Sequence, residues 1–154
     1  MKIVEVNAYH VRPRWGFVEI ITDEGITGWG EAVLEGHCDA VLACVQEYRS
    51  YLIGQDPFRI EDISATIFRA GFYRGGGVLM SALSGIDQAL WDIKGKAFGA
   101  PAYELMGGNV EIRLKYIPGL VEIGHRMLAQ RQKERQDAGF KAIKNECDRR
   151  AADD

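Results

Sequence analysis

Apolar residues recur with a period of two through the first third of the chain and with a spacing of three and four after it. Residues 2–11 set Ile3, Glu5, Asn7 and Tyr9 against Val4, Val6, Ala8 and His10, which predicts a strand. Trp15, Phe17, Val18, Ile20 and Ile21 mark a second strand over 15–22, and Trp29, Ala32 and Val33 a third over 27–34. Asp23-Glu24-Gly25 lies between the last two, and a short polar turn ending in glycine predicts a hairpin there. Arg12-Pro13-Arg14 links the first pair. Three such strands need cover for their apolar face.

Helices supply that cover. Residues 36–53 place Val41, Leu42, Val45, Tyr48 and Leu52 on one side. Gly54-Gln55-Asp56-Pro57 reads as a stop and a restart, with Asp56 as N-cap and Pro57 at the first helical position of a helix reaching about residue 69. Residues 71–77, rich in glycine, form a loop. The longest stripe follows, with Leu79, Ala82, Leu83, Ile86, Ala89, Leu90, Ile93 and Ala97 on a single face. Gly99 stops that helix, and Pro101 starts another at a first-turn position.

After Gly108 the pattern changes. Ile112, Leu114 and Tyr116 predict a strand over 111–117, residues 121–138 read as a helix, and residues 139–144 as a second strand. Strand, helix, strand opens a βαβ unit. The polar stretch NECDRRAADD follows Lys144. A full (β/α)₈ barrel takes about 250 residues. The expected architecture is therefore α+β. Residues 1–110 form a three-stranded antiparallel sheet packed on a helical bundle, and residues 111–154 form the first strand-helix-strand piece of an incomplete (β/α) barrel.

Composition narrows the partners. The 154 residues are 47% hydrophobic and 27% charged, ordinary for one domain with a sizeable core. The net charge of −3 provides no basic surface for nucleic acid or an anionic membrane. No apolar run approaches the roughly 20 residues of a membrane span, and the first residues lack the apolar core of a secretory leader. Cys38, Cys44 and Cys147 have no paired spacing, which fits reduced thiols. A cytoplasmic protein is expected.

Candidate chemistry is sparse. Gly25, Gly28 and Gly30 sit in a hairpin, so their spacing serves a tight turn and close packing rather than a dinucleotide. Arg74 precedes a glycine run and a helix start, where it either holds an anion such as a carboxylate or is a surface arginine on a connector. Trp15 and Phe17, at the start of the second strand, either pack or face a substrate. His37 reads as a helix cap or a solvated side chain, with an acid/base role as the alternative. Asp87 and Asp92 lie about 140° apart on their helix, with Lys94 and Lys96 as local salt-bridge partners. No paired histidines, paired cysteines or glycine-framed serine occur at catalytic spacing.

The segments TDEGITGWGE, YLIGQDP, FRAGFYRGG, SALSGIDQALWDIKGK and APAYELMGG resemble the N-terminal capping domain of the enolase superfamily, in its mandelate racemase/muconate lactonizing enzyme group. The likeness runs from about residue 1 to 144, and YLIGQDP with AGFYRGG narrows it to galactonate-type sugar-acid dehydratases. The resemblance implies abstraction of the proton α to a sugar-acid carboxylate and loss of the β-hydroxyl. It also implies Mg²⁺ on hard oxygen ligands in the complete family enzyme. The family's acidic metal ligands and its histidine acid and base lie on barrel strands beyond the position of Lys144. Many relatives end the second barrel strand in Lys-x-Lys, whereas Lys144-Asn145-Glu146 carries glutamate at the second place.

No catalytic or metal-binding residue is therefore expected in this chain, no Mg²⁺ is expected to bind it, and it is expected to be inactive alone. By resemblance, Trp15, Phe17, His37, Tyr73 and Arg74 are the substrate-facing residues of the capping loops. The sugar acid is a partner only where a barrel is supplied. The alternatives are a non-catalytic capping-domain protein binding a second copy or a full-length relative, and a piece of a racemase or cycloisomerase of the same superfamily.

Overall fold

A computed structural model describes residues 1–108, 119–122, 133–134, 136–137 and 144–147. The chain divides into two compact units, Met1–Asn109 and Val110–Asp154. In the first, strands β1 (Ile3–Val11), β2 (Trp15–Thr22) and β3 (Thr27–Glu31) form an antiparallel sheet in the order β1-β2-β3. Helices α1 (Cys38–Leu52), α2 (Ile60–Ala70), α3 (Gly77–Phe98) and the short α4 (Ala102–Leu105) follow. This is the sheet-on-helices arrangement that the hydrophobic pattern predicts.

Val6, Val18, Ile20 and Thr22 point into the core with Val41, Val45, Ile63, Ile86, Leu90 and Ile93. Burying such side chains is worth roughly 1.5–3 kcal/mol each. The strict alternation expected of β1 fails at its start. The register slips between Ile3 and Glu5, so Ile3 and Val6 are both buried while Val4 is exposed. An extra residue in one strand of a pair reverses the facing of those beyond it.

Glycine decides how closely β3 meets α3. A Cβ on Gly30 would lie 1.9 Å from the carbonyl oxygen of Gly85, and one on Gly28 2.1 Å from that of Ala89. Gly85 reciprocates, with Ala32 Cβ 2.6 Å from where its own Cβ would stand. The contact is backbone against backbone. Polar groups then tie the edge: Trp29 N–H donates to Asp92 Oδ2 at 2.9 Å, Lys96 Nζ donates to the Thr27 carbonyl at 2.7 Å, and Glu31 N–H donates to Gln88 Oε1 at 3.0 Å.

Helix ends follow the sequence in part. Gly99 closes α3 in the left-handed region at φ 64°, as its place in the sequence predicts. Asp56 is not an N-cap: its Oδ1 accepts the Phe58 N–H at 2.9 Å in a local turn, and α2 begins only after Arg59. Pro101 is the N-cap of α4 in extended conformation, not its first helical residue. Helix α3 starts at Gly77, inside the run read as loop.

In the second unit, β4 (Gly119–Glu122) pairs in parallel with β5 (Lys144–Cys147), Gly119 opposite Lys144. A parallel pair was expected, at other residues. Val121 and Glu122 belong to a strand rather than a helix start, and β5 continues past Lys144 into the stretch read as a polar tail. Backbone pairing makes no demand that strand side chains be apolar, so composition misplaced it. Residues 111–117 lie outside those described. Among the described residues, no helix is long and apolar enough to cross a membrane.

Candidate functional site

Three loops meet at one end of the first unit. The β1–β2 loop carries Arg12, Pro13 and Arg14, with a cis Arg12–Pro13 peptide bond. The β3–α1 loop lies beside it, because Ala32 N–H donates to the Gly16 carbonyl at 2.8 Å. The loop from α2 to α3 comes to the same place: a Cβ on Gly77 would lie 3.0 Å from Leu34 Cδ2.

A histidine–carboxylate contact and an ion pair hold this end together. His10 Nδ1 lies 2.6 Å from Asp39 Oδ1, joining β1 to the first turn of α1. Arg14 Nη1 pairs with Glu35 Oε1, and the Arg14 guanidinium sits 4.5 Å above the Trp15 ring. The Arg14–Glu35 pair is largely solvated, so it contributes at most about 1 kcal/mol. Between the loops lies a cleft of about 290 Å³ walled by His10, Pro13, Arg14, Gly36, His37 and Cys38, among others. His10 Nε2 is buried there without a hydrogen-bond partner. Burial, then the Asp39 charge, raises the pKa of the Cys38 thiol, keeping it protonated at neutral pH.

The five residues expected to face substrate fall in three places. Trp15 and His37 belong to this end: Trp15 is 36% exposed under Arg14, and His37 is exposed at the N-cap position of α1 without a side-chain cap bond. Phe17 is half-buried within β2, opposite Tyr9 on one side and Glu31 on the other, as part of the outer sheet face. Tyr73, 84% exposed, and Arg74 lie on the α2–α3 loop, where Tyr73 borders a separate groove of about 340 Å³. The sequence marks Glu35-Gly36-His37 as a polar segment near a sheet end but gives no role to His10 or Asp39 and no partner to Arg14. Arg-Pro-Arg was a visible cluster, but the partner of Arg14 lies 21 residues along the chain and that of His10 29, each in a different element.

The aspartates of α3 are engaged in structure. Asp92 pairs with Lys96 at 2.7 Å, as its helical spacing predicts, and accepts the Trp29 N–H. Asp87 departs from the expected salt bridge and accepts the Ser64 hydroxyl at 2.8 Å, tying α3 to α2. Among the described residues, no group of three His, Cys, Asp or Glu side chains is placed to hold a metal ion.

Comparison with known proteins gives this geometry a context. The chain is 60% identical over 115 residues to a D-galactonate dehydratase of Xanthomonas axonopodis pv. citri, covering 75% of this chain and 30% of that enzyme. A D-galactonate dehydratase of Verminephrobacter eiseniae is 52% identical over 149 residues, covering 96% of this chain and 39% of the enzyme. The chain thus spans about a third of the length of these relatives. An enolase from Pantoea ananatis, crystallised with bound D-gluconate and Mg, superposes with a TM-score of 0.85 at 34% identity, covering 95% of this chain and 36% of that one. The family model for the mandelate racemase / muconate lactonizing enzyme N-terminal domain matches residues 8–107, and the chain belongs to that family.

Proposed function

We propose that this chain supplies the capping domain of a galactonate-type sugar-acid dehydratase. The observation carrying this reading is the 60% identity to a D-galactonate dehydratase over 115 residues. The reaction removes the proton α to the carboxylate and expels the β-hydroxyl as water, leaving an enol that becomes a 2-keto-3-deoxy acid. Mg²⁺, where bound, neutralises the charge that builds on the carboxylate as the proton leaves. The described residues do not fit that ion, since Asp87 and Asp92 are committed to Ser64 and Lys96. By resemblance to the family, acid, base and metal ligands belong to barrel strands.

The part left to this domain is to cover and orient. Trp15, pinned by Arg14, offers an apolar wall that excludes water, and His37 offers an exposed ring for a substrate hydroxyl. Tyr73 borders a groove of its own, and Arg74 follows it on the α2–α3 loop. Incubation of the purified 154-residue chain with Mg²⁺ and D-galactonate tests the division of labour. No 2-keto-3-deoxy product is expected. Its formation by a contamination-free preparation would return the chemistry to this chain.

A further inference from the structure

The backbone at Trp15 is fixed by its neighbour. Gly16 accepts the Ala32 N–H, and a Cβ on it would stand 2.6 Å from the Ala32 carbonyl oxygen and 2.9 Å from Cys38 Sγ. The Trp15 side chain is less constrained, since it is partly exposed and the Arg14 guanidinium covers its ring from 4.5 Å. Arginine is itself a long side chain with many rotamers to lose. What holds it here is Glu35, whose Oε1 pairs with Arg14 Nη1.

Glu35 is placed in turn by the β3–α1 loop. The His37 N–H donates to the Leu34 carbonyl at 2.9 Å, and Gly36 supplies the positive φ, 77°, that the third position of such a turn demands. Leu34 anchors the turn, with its Cδ2 3.0 Å from where a Cβ of Gly77 would stand. The order of support therefore runs from the turn to Glu35, from Glu35 to Arg14, and from Arg14 to the Trp15 ring.

We propose that Glu35 is a positioning residue that acts through Arg14 to hold the Trp15 ring over substrate, a role that rests on the reading of Trp15 as a substrate-covering wall. The side chains of Arg14 and Glu35 are 51% and 73% exposed, so their pair does little for folding. A guanidinium takes a carboxylate along its edge and an aromatic ring on its face at once, which a lysine ammonium does not. In Arg14 both are occupied. The rival role for Arg14 is to hold the substrate carboxylate. Glu35 already neutralises that charge, and an incoming anion would meet a carboxylate beside it.

Nuclear magnetic resonance of the 154-residue chain tests the support itself. Overhauser contacts between the Arg14 side chain and the Trp15 ring should be present and should be lost in Glu35→Ala. The indole signals of Trp29 and Trp91 should stay in place, which shows the fold intact. Contacts that persist without Glu35 would overturn the proposal. Kinetics tests its use, in a chimera carrying residues 1–108 in place of the matching segment of the Xanthomonas D-galactonate dehydratase. Glu35→Ala should raise KM for D-galactonate roughly threefold with kcat nearly unchanged, and should have no effect once Trp15 is alanine. A fall in KM would give Arg14 to the substrate carboxylate and overturn the proposal. Equal losses with and without Trp15 would also overturn it, by reducing the pair to a structural one. A chimera inactive before any substitution would contradict the dehydratase reading and the proposal with it. The resonance result needs no turnover, so the two failures are told apart.

Discussion

The β3–α3 seam and the α2–α3 loop flank the same helix and are built on opposite terms. In the seam, Gly28, Gly30 and Gly85 bring backbone to within a distance that no side chain tolerates, and Ala89, Leu90 and Ile93 are wholly buried around it. In the loop, Gly75 and Gly76 face open space at positive φ, and Phe72 and Tyr73 stand in solvent. Glycine thus serves close approach along the middle of α3 and chain reversal just before its start. The seam fixes the domain, and the loop is left to meet something else.

The largest break in that contrast is expected from Gly30→Ala. Its new methyl would collide with the Gly85 carbonyl, which belongs to helix backbone and has no room to yield. A loss of at least about 3 kcal/mol is expected, at the upper end of overpacking costs, read as a lowered urea midpoint. Gly75→Ala meets nothing within 4 Å, and only its φ of 77° resists. Its cost should be about 1–2 kcal/mol. Equal losses at the two sites would dissolve the distinction between seam and loop.

A smaller effect should appear at alkaline pH, and part of it through the packed region. Burial raises the Cys44 thiol pKa, and burial with the Asp39 charge raises that of Cys38. An unfolded thiol ionises first, so the unfolded chain holds fewer protons in that window. The stability these groups provide is complete below the ordinary thiol value of 9.0 and is lost as pH rises toward the folded values. Urea midpoints measured from pH 7.5 to 10 should fall at the upper end, and less steeply in Cys44→Ala relative to its own value at pH 7.5. A flat profile would show that the core around α1 admits water.

What the sequence disclosed follows the same division. The stripe from Leu79 to Ile93 and the left-handed Gly99 are local signals, and α3 packs and closes as they predict, whereas Ala97, expected on the same face, is exposed past the last buried turn. The close-packing role of Gly28 and Gly30 was read from their place in a hairpin. The slip at Ile3 escaped because a bulge leaves hydrophobicity unchanged. Asp56 was misread because a turn and a helix cap use the same side chain on neighbouring N–H groups. At the loop end, Trp15, His37 and Arg74 were named, yet the His10–Asp39 and Arg14–Glu35 pairs were not. Such pairs join elements that only the fold brings together, and one chain's pattern holds no trace of them.

The central claim is that residues 1–108 are the cap of a galactonate-type dehydratase. The most direct measurement replaces the matching segment of the Xanthomonas D-galactonate dehydratase with these residues and determines kcat/KM for D-galactonate with Mg²⁺. The chimera should retain turnover within about tenfold of the parent, and Trp15→Ala in it should cost at least a further tenfold, as loss of a substrate-covering wall would. A folded chimera that turns over no D-galactonate would contradict the account.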